Sequence, residues 1–237
     1  MVTADNYLKM CLIYLRVQSR VPVVIMGETG CGKTSLITFF CKNVLQDRLE
    51  VFNIHAGITT KMIIEKMESY ILTANYGLNE NQNLWIFFDE FNTSENLGLI
   101  CEILTDRKLL GVSLPDNMIF LAACNPYKLR SKKIKFDENV GIKRSNARSR
   151  VAQNMLLYTV HPLPENVIES VWDFGALTDN DQRRYIQEMV TKAKVQNVEM
   201  ITEMLVAAHR YFKRNEDSSS VSLRDVSRFI ILYKWFA

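Results

Sequence analysis

Eight residues constrain this chain more than any others: Gly27, Glu28, Thr29, Gly30, Cys31, Gly32, Lys33 and Thr34 fit the spacing G-x-x-x-x-G-K-[ST]. The run before them, Val21-Pro22-Val23-Val24-Ile25-Met26, is short, apolar and β-branched, so it reads as a buried strand. Residues 35–44 after them carry helical periodicity. A strand, a glycine-rich turn and a helix in that order make a phosphate-binding loop. The glycines let successive backbone N–H groups face an anion, and the helix start adds the positive end of its dipole. Lys33 is then placed to reach β- and γ-phosphates and the Thr34 hydroxyl to ligate Mg²⁺. All eight residues are therefore assigned to nucleotide binding.

Such a unit needs a sheet to belong to, and the rest of the chain supplies one. Strand patterns at 50–54, 84–88 and 118–124 alternate with helical patterns at 60–73 and 94–105, and 156–160 reads as a last strand. This is the order of an α/β P-loop three-layer sandwich with a parallel sheet. Beyond His161-Pro162-Leu163-Pro164 the periodicity is helical only, at 165–174, 180–195, 198–214 and 223–236. The expected division is an α/β nucleotide-binding domain over 1–163 and an all-helical small subdomain over 164–237. A first helix is expected where Tyr7, Leu8, Cys11, Leu12 and Leu15 recur at helical spacing. Ser222 with Asp225 has capping-box spacing, and Val221 with Val226 occupies hydrophobic-staple positions, so the last helix has a well-marked start.

Composition narrows the class. Of 237 residues, 48% are hydrophobic and 23% charged, enough to bury a core. The formal net charge of +3 is too small to argue for nucleic acid or an acidic membrane. Five cysteines, an odd number without a C-x-x-C pair, suggest a reducing compartment. No apolar run approaches the ~18 residues of a membrane span and no signal peptide opens the chain, so cytoplasm or nucleus is expected. Both ends lack polar tails, which fits a module of a longer protein.

Catalytic candidates follow from position. Asp89 and Glu90 close the strand Leu84-Trp85-Ile86-Phe87-Phe88, at the carboxyl edge where a parallel sheet meets ligands. Asp89 suits a Mg²⁺ ligand, and Glu90 suits a base that deprotonates an attacking water. A solvated turn is the plain alternative, weakened by the phosphate-binding loop upstream. Asn125, after the strand 118–124, stands where an amide would position that water, although Asn-Pro also starts ordinary turns. The stretch 131–150 holds seven Lys or Arg residues and few large apolar ones. It reads as a solvated face, as a nucleic-acid contact, or as the source of an arginine reaching a neighbouring subunit's nucleotide. Arg148 and Arg150 are the candidates, and the absence of interleaved aromatics weighs against nucleic acid. Arg224, in the first turn of the last helix, could reach a γ-phosphate or pair with Asp225.

Together these features resemble the AAA+ ATPases over essentially the whole chain. Residues 27–33, His55-Ala56-Gly57-Ile58-Thr59, Phe87-Phe88-Asp89-Glu90-Phe91-Asn92-Thr93 and Ala123-Cys124-Asn125-Pro126 are similar to nucleotide-binding modules of the mysterin family. So are His161-Pro162-Leu163-Pro164, Val171-Trp172-Asp173-Phe174-Gly175 and Ser222-Leu223-Arg224-Asp225-Val226. That family comprises giant ring-finger ubiquitin ligases with a dynein-like array of AAA+ modules in one polypeptide. The resemblance implies ATP and Mg²⁺ as cofactors and adjacent AAA+ modules as partners within the same polypeptide. It also implies access to ubiquitin machinery through the parent chain and a cytoplasmic location with association to lipid droplets. This chain carries no zinc-binding Cys/His pattern, so ligase chemistry would lie elsewhere. Two function classes stay open: an ATP-hydrolysing module, or a scaffold that keeps ATP as a structural ligand.

Overall fold

The computed structural model describes residues 3–79, 82–127, 160–175, 177–215 and 221–236. Its internal contacts divide into two units: Leu8–Gly27 with Lys33–Phe174, and Met1–Tyr7 with Glu28–Gly32 and Gly175–Ala237.

The first unit is built on a parallel sheet of five strands, β1 (Val23–Met26), β2 (Arg48–Asn53), β3 (Leu84–Asp89), β6 (Met118–Cys124) and β7 (Val171–Asp173), in the spatial order β2-β3-β6-β1-β7. β3 and β6 are continuous apolar runs because both of their faces are covered, as parallel sheets require. Trp85, Phe87, Phe88 and Ile86 are sealed from solvent. Helices α2 (Lys33–Phe39), α3 (Thr60–Tyr76) and α4 (Leu97–Thr105) connect the strands, and α2 runs on into a π-helical turn, Phe40–Leu45. The Thr59 hydroxyl caps α3 by accepting from Met62 N–H at 3.3 Å. Asp47, just past the π turn, accepts from the Trp85 indole at 2.8 Å and from Asn83 N–H at 3.0 Å, which pins the bottom of β3.

Three features depart from the sequence expectations. The closing strand is β7, inside a stretch whose periodicity reads as one helix over 165–174; only α5 (Glu165–Ile168) is helical there. β7 pairs with β1 in the register Val24↔Val171, Ile25↔Trp172, Met26↔Asp173. A three-residue strand is too short to show a period of two, and its partner lies far away in sequence, so pairing overrides the local pattern. The expected strand at 156–160 lies outside the described residues except for Val160, which is in no strand. The α/β unit thus extends through Phe174, beyond the boundary at 163. The second departure is a small antiparallel hairpin, β4 (Lys108–Leu109) with β5 (Val112–Ser113). Its tip, Leu110-Gly111, has positive φ at both residues, and Gly111 N–H is held by Glu102 Oε1 at 2.7 Å. The third concerns burial alone: α1 (Ala4–Gln18) forms where a first helix is expected, but it buries Met10 and Ile13 and leaves Tyr7, Leu8, Leu12 and Leu15 exposed.

The second unit contains α6 (Asp179–Lys192), α7 (Val198–Asn215) and α8 (Leu223–Phe236). Ile186, Val190, Ile201, Leu205, Val226 and Ile230 form its core. Ser222 and Asp225 make the capping box that their spacing implies: Ser222 N–H donates to Asp225 Oδ2 at 2.9 Å and Ser222 Oγ accepts from Arg224 N–H at 3.2 Å. The backbone bond from Ser222 holds the Asp225 carboxyl below the usual carboxylate range, helped by Arg228.

Candidate functional site

Parallel strands send their carboxyl ends to one edge, and register decides which residues leave together. Met26 pairs with Cys124 across β1 and β6, and Phe88 pairs with Ala122 across β6 and β3. Gly27, the acid pair Asp89-Glu90, and Asn125 therefore depart from the same edge, as expected for ligand sites in α/β sheets. The Gly27 N–H donates to Cys124 O at 3.3 Å, which fixes where the loop begins.

Lys33, the first residue of α2, is buried at 6% exposure and donates from Nζ to Gly27 O at 2.6 Å. Its ammonium also moderates the Cys124 thiol, which burial nevertheless pushes up to about 12. One residue on, Thr34 Oγ1 donates to Asp89 Oδ2 at 2.6 Å, joining the two proposed Mg²⁺ ligands across 55 positions of sequence. These donors suit Mg²⁺ on a nucleotide, which takes one or two protein oxygens beside phosphates and waters. Among the described residues no cluster of three or more His, Cys, Asp or Glu side chains offers an all-protein metal cage.

Glu90 leaves β3 in a left-handed conformation, φ +57, as the cap of a single 3₁₀ turn, Phe91–Thr93. A non-glycine residue there carries strain of about 1 kcal/mol or more, so the turn must be held by its surroundings. Thr93 N–H donates to Glu90 O at 3.0 Å, and the Thr93 hydroxyl lies 2.9 Å from Glu90 O and 3.2 Å from Ile54 O. Asn92 Nδ2 donates to Asn125 O at 2.9 Å, while Asn92 Oδ1 accepts from Asn125 N–H at 3.0 Å. Asn92 and Thr93 were missed as site residues by sequence reasoning. The available signal was a polar pair directly after the apolar run and the acids, but nothing in it names a partner 33 residues away.

In the second unit, Gly30 and Gly32 have φ +82 and +97, the left-handed backbone that an anion-facing loop uses and that glycine tolerates. A Cβ on Gly30 would come within 2.6 Å of Ser222 Cβ in the same unit. Arg224 lies in the first turn of α8 and is exposed. Asp225 is engaged by Ser222 and by Arg228, the latter at 3.0 Å. Arg148 and Arg150 lie outside the described residues.

Comparison with known proteins adds the family. Residues 1–128, over half of the chain, match the family model described as the RNF213 AAA domain. This chain belongs to that family. Among curated relatives, E3 ubiquitin-protein ligase rnf213-beta of Danio rerio is 35% identical over an alignment of 259 residues, covering 99% of this chain and 5% of that protein. E3 ubiquitin-protein ligase RNF213 of Homo sapiens is 34% identical, with the same coverage of 99% and 5%. This RNF213-type AAA domain thus spans about 5% of the length of the relatives it matches. Among solved structures, a RuvB protein of Thermotoga maritima overlays with a TM-score of 0.48 at 14% identity, over 98% of this chain and 69% of that one. The glycine-rich loop, the acid pair, Asn92 and Asn125 all fall inside the region matched to the RNF213 AAA domain, and Arg224 falls outside it. No described helix of this AAA domain is long and apolar enough to cross a membrane.

Proposed function

We propose that this chain binds ATP with Mg²⁺ and hydrolyses it, as one AAA+ module of a larger mysterin-like E3 ubiquitin ligase. Its nucleotide state would couple to the conformation of adjacent modules in the same polypeptide. The observation that carries this reading is the 2.6 Å contact between Thr34 Oγ1 and Asp89 Oδ2, which brings loop and acidic strand end to one point. Mg²⁺, when bound, neutralises charge on the β- and γ-phosphates. Thr34 and Asp89 hold it, and the loop amides of residues 28–32 with Lys33 cradle the phosphates. Glu90 accepts the proton of the attacking water as its oxygen bonds to the γ-phosphorus and ADP leaves. Asn125 orients that water. Arg224 acts on the γ-phosphate, and Arg148 or Arg150 serves a neighbouring module's site.

On this reading the remaining length of the parent chain supplies the neighbouring modules and the ubiquitin chemistry, and the parent works in the cytoplasm and at lipid droplets. Family membership and the relatives' length support the first of these points, and the location rests on the resemblance alone. The test is Glu90→Gln, which keeps the side-chain shape and removes the base. We expect ATP·Mg²⁺ affinity within about twofold of wild type and turnover lower by about 10²-fold or more. Equal, negligible phosphate release from both forms, alone and within a multi-module polypeptide, would favour the ATP-holding scaffold and overturn hydrolysis.

A further inference from the structure

We propose that Asn92 is a positioning residue that sets Asn125 against Glu90, so that turnover depends on a side chain that does not itself meet the nucleotide. The inference rests on the ATP-hydrolysis reading above and goes beyond it, since neither the spacing of the motifs nor the family match gives Asn92 a role.

Asn92 is 3% exposed and Asn125 5%, so neither of their mutual bonds has water as a ready substitute. Both ends of the Asn92 carboxamide go to one residue: Nδ2 to Asn125 O at 2.9 Å, and Oδ1 to Asn125 N–H at 3.0 Å. A single planar group gripping the N–H and C=O of one residue restrains both flanking peptide planes, as a β-ladder pair does. That residue is the first after β6 ends. Without the grip, Asn125 would pass from the end of β6 into Pro126 without these two bonds to orient its backbone.

The other end of the connection is equally short. Asn92 is the middle residue of the 3₁₀ turn capped by Glu90, and Thr93 ties that turn back to Glu90 O and toward Ile54 O at the exit of β2. The Asn92 carbonyl accepts from His161 N–H at 2.7 Å, which holds the turn from a further side. Glu90, Asn92 and Asn125 thus form one rigid path from the acid on β3 to the amide after β6. Filling space alone would need an apolar side chain of this size. A carboxamide is required only if the Asn125 backbone has to be held.

The test compares wild type, Asn92→Ala, Asn92→Asp, Asn125→Ala and the Asn92→Ala/Asn125→Ala double variant of this chain. ATP and ADP affinities are measured by calorimetry, and kcat and KM by phosphate release. Asn92→Ala should leave ADP affinity within about twofold and KM little changed, while kcat falls about tenfold or more through misplacement of the water. Asn92→Asp keeps the acceptor for Asn125 N–H and loses the donor to Asn125 O, and should fall between. If Asn92 acts through Asn125, the double variant should be no slower than Asn125→Ala alone. Wild-type kcat in Asn92→Ala, or losses that multiply in the double variant, would overturn the role. Should Asn92→Ala not fold, Asn92→Asp decides: an unchanged kcat overturns the proposal and a selective loss of kcat supports it. A wild type that binds ATP without turnover both alone and within a multi-module polypeptide fails at an earlier step, overturning the hydrolysis reading and this role with it; if only the multi-module polypeptide turns over, the same variants are compared there.

Discussion

The two units of this chain bury their residues in different ways. In the α/β unit, β3 and β6 are sealed along nearly their whole length, with stacked and edge-on rings such as Phe88–Phe120 and Phe40–Trp85 between them and their neighbours. In the helical unit a short list of aliphatic residues makes the core, with Gln182, Thr202 and His209 buried beside it. Met200, Met204, Tyr211, Ile231, Trp235 and Phe236 remain exposed there. The contrast matches the placement of the proposed chemistry. Thr34, Asp89 and Asn125, the groups that the proposed hydrolysis needs held most closely, sit at the edge of the sealed sheet. A unit with a thin core and a buried polar network opens at lower free energy.

The sharpest way to break this comparison is to damage each core in turn. Phe88→Ala, at a fully buried sheet position, should cost about 3–5 kcal/mol. Leu205→Ala, in the helical core, should cost nearer 2 kcal/mol because a small core relaxes around the cavity. Amide hydrogen exchange should show protection lost in β2, β3 and β6 for the first and in α6–α8 for the second. Equal loss everywhere in both variants would mean that the units open as one.

Nucleotide binding should belong to the loop that joins the units in sequence. Lys33→Ala should weaken ATP at least about tenfold, ~1.4 kcal/mol or more, because charge-assisted contacts to phosphate are lost. Unchanged affinity by calorimetry in a folded variant would remove the phosphate-binding assignment.

A smaller effect separates the units by pH. His209 Nδ1 is 2.8 Å from Gln182 Nε2, and Lys213 Nζ donates to Gln182 Oε1 at 3.2 Å. With the amide donating, the ring proton is assigned to Nε2, which is buried without a hydrogen-bond partner among the described residues. Burial first, and Lys213 second, hold the His209 pKa below its ordinary value, against the pull of Asp225 and Asp179. The folded state therefore binds this proton less readily than the unfolded state. The stability that His209 contributes is complete above its unfolded pKa near 6.5 and falls as pH drops toward the lower folded value. Unfolding followed on α6–α8 from pH 8 to 5 should show this loss, and His209→Gln should flatten it. A helical unit that grows more stable as pH falls through 6 would refute the sign.

Cysteine labelling is the gentlest probe. Burial pushes the thiols of Cys41 and Cys124 up to about 12 and that of Cys101 up to about 11, all in the α/β unit. Cys31, in the loop, and Cys11, on α1, are only partly buried. Maleimide should modify Cys31 and Cys11 first, and ATP should protect Cys31 alone. Rapid labelling of Cys101 or Cys124 in the folded protein would show that the sheet is less closed than its burial indicates.

Much of this was legible in the residues. The strand Met118–Cys124 and the helix Leu223–Phe236 lie where periodicity and the capping box place them, because each carries its signal within its own length. The acid pair and the loop were legible as types and spacings, and strands of a parallel sheet bring such ends to one edge. Asn125 was legible as a position only. Its lock to Asn92 was not, because a carboxamide satisfied inside the fold has the same letter as one in a surface turn. The same reason hid β7, where Val171, Trp172 and Asp173 match a helix pattern until β1 pairs with them.

From the sequence alone come the elements that local chemistry decides. These are a strand, glycine turn and helix able to receive phosphate, a parallel α/β alternation, and helical segments with caps. The tertiary structure decided that β6 lies between β1 and β3, that a three-residue strand closes the sheet, and that Asn92 grips Asn125. Each of these depends on hydrogen bonds between residues distant in the chain. Their stability comes only after the intervening loops have closed and water has been excluded, so no local window of residues can contain it.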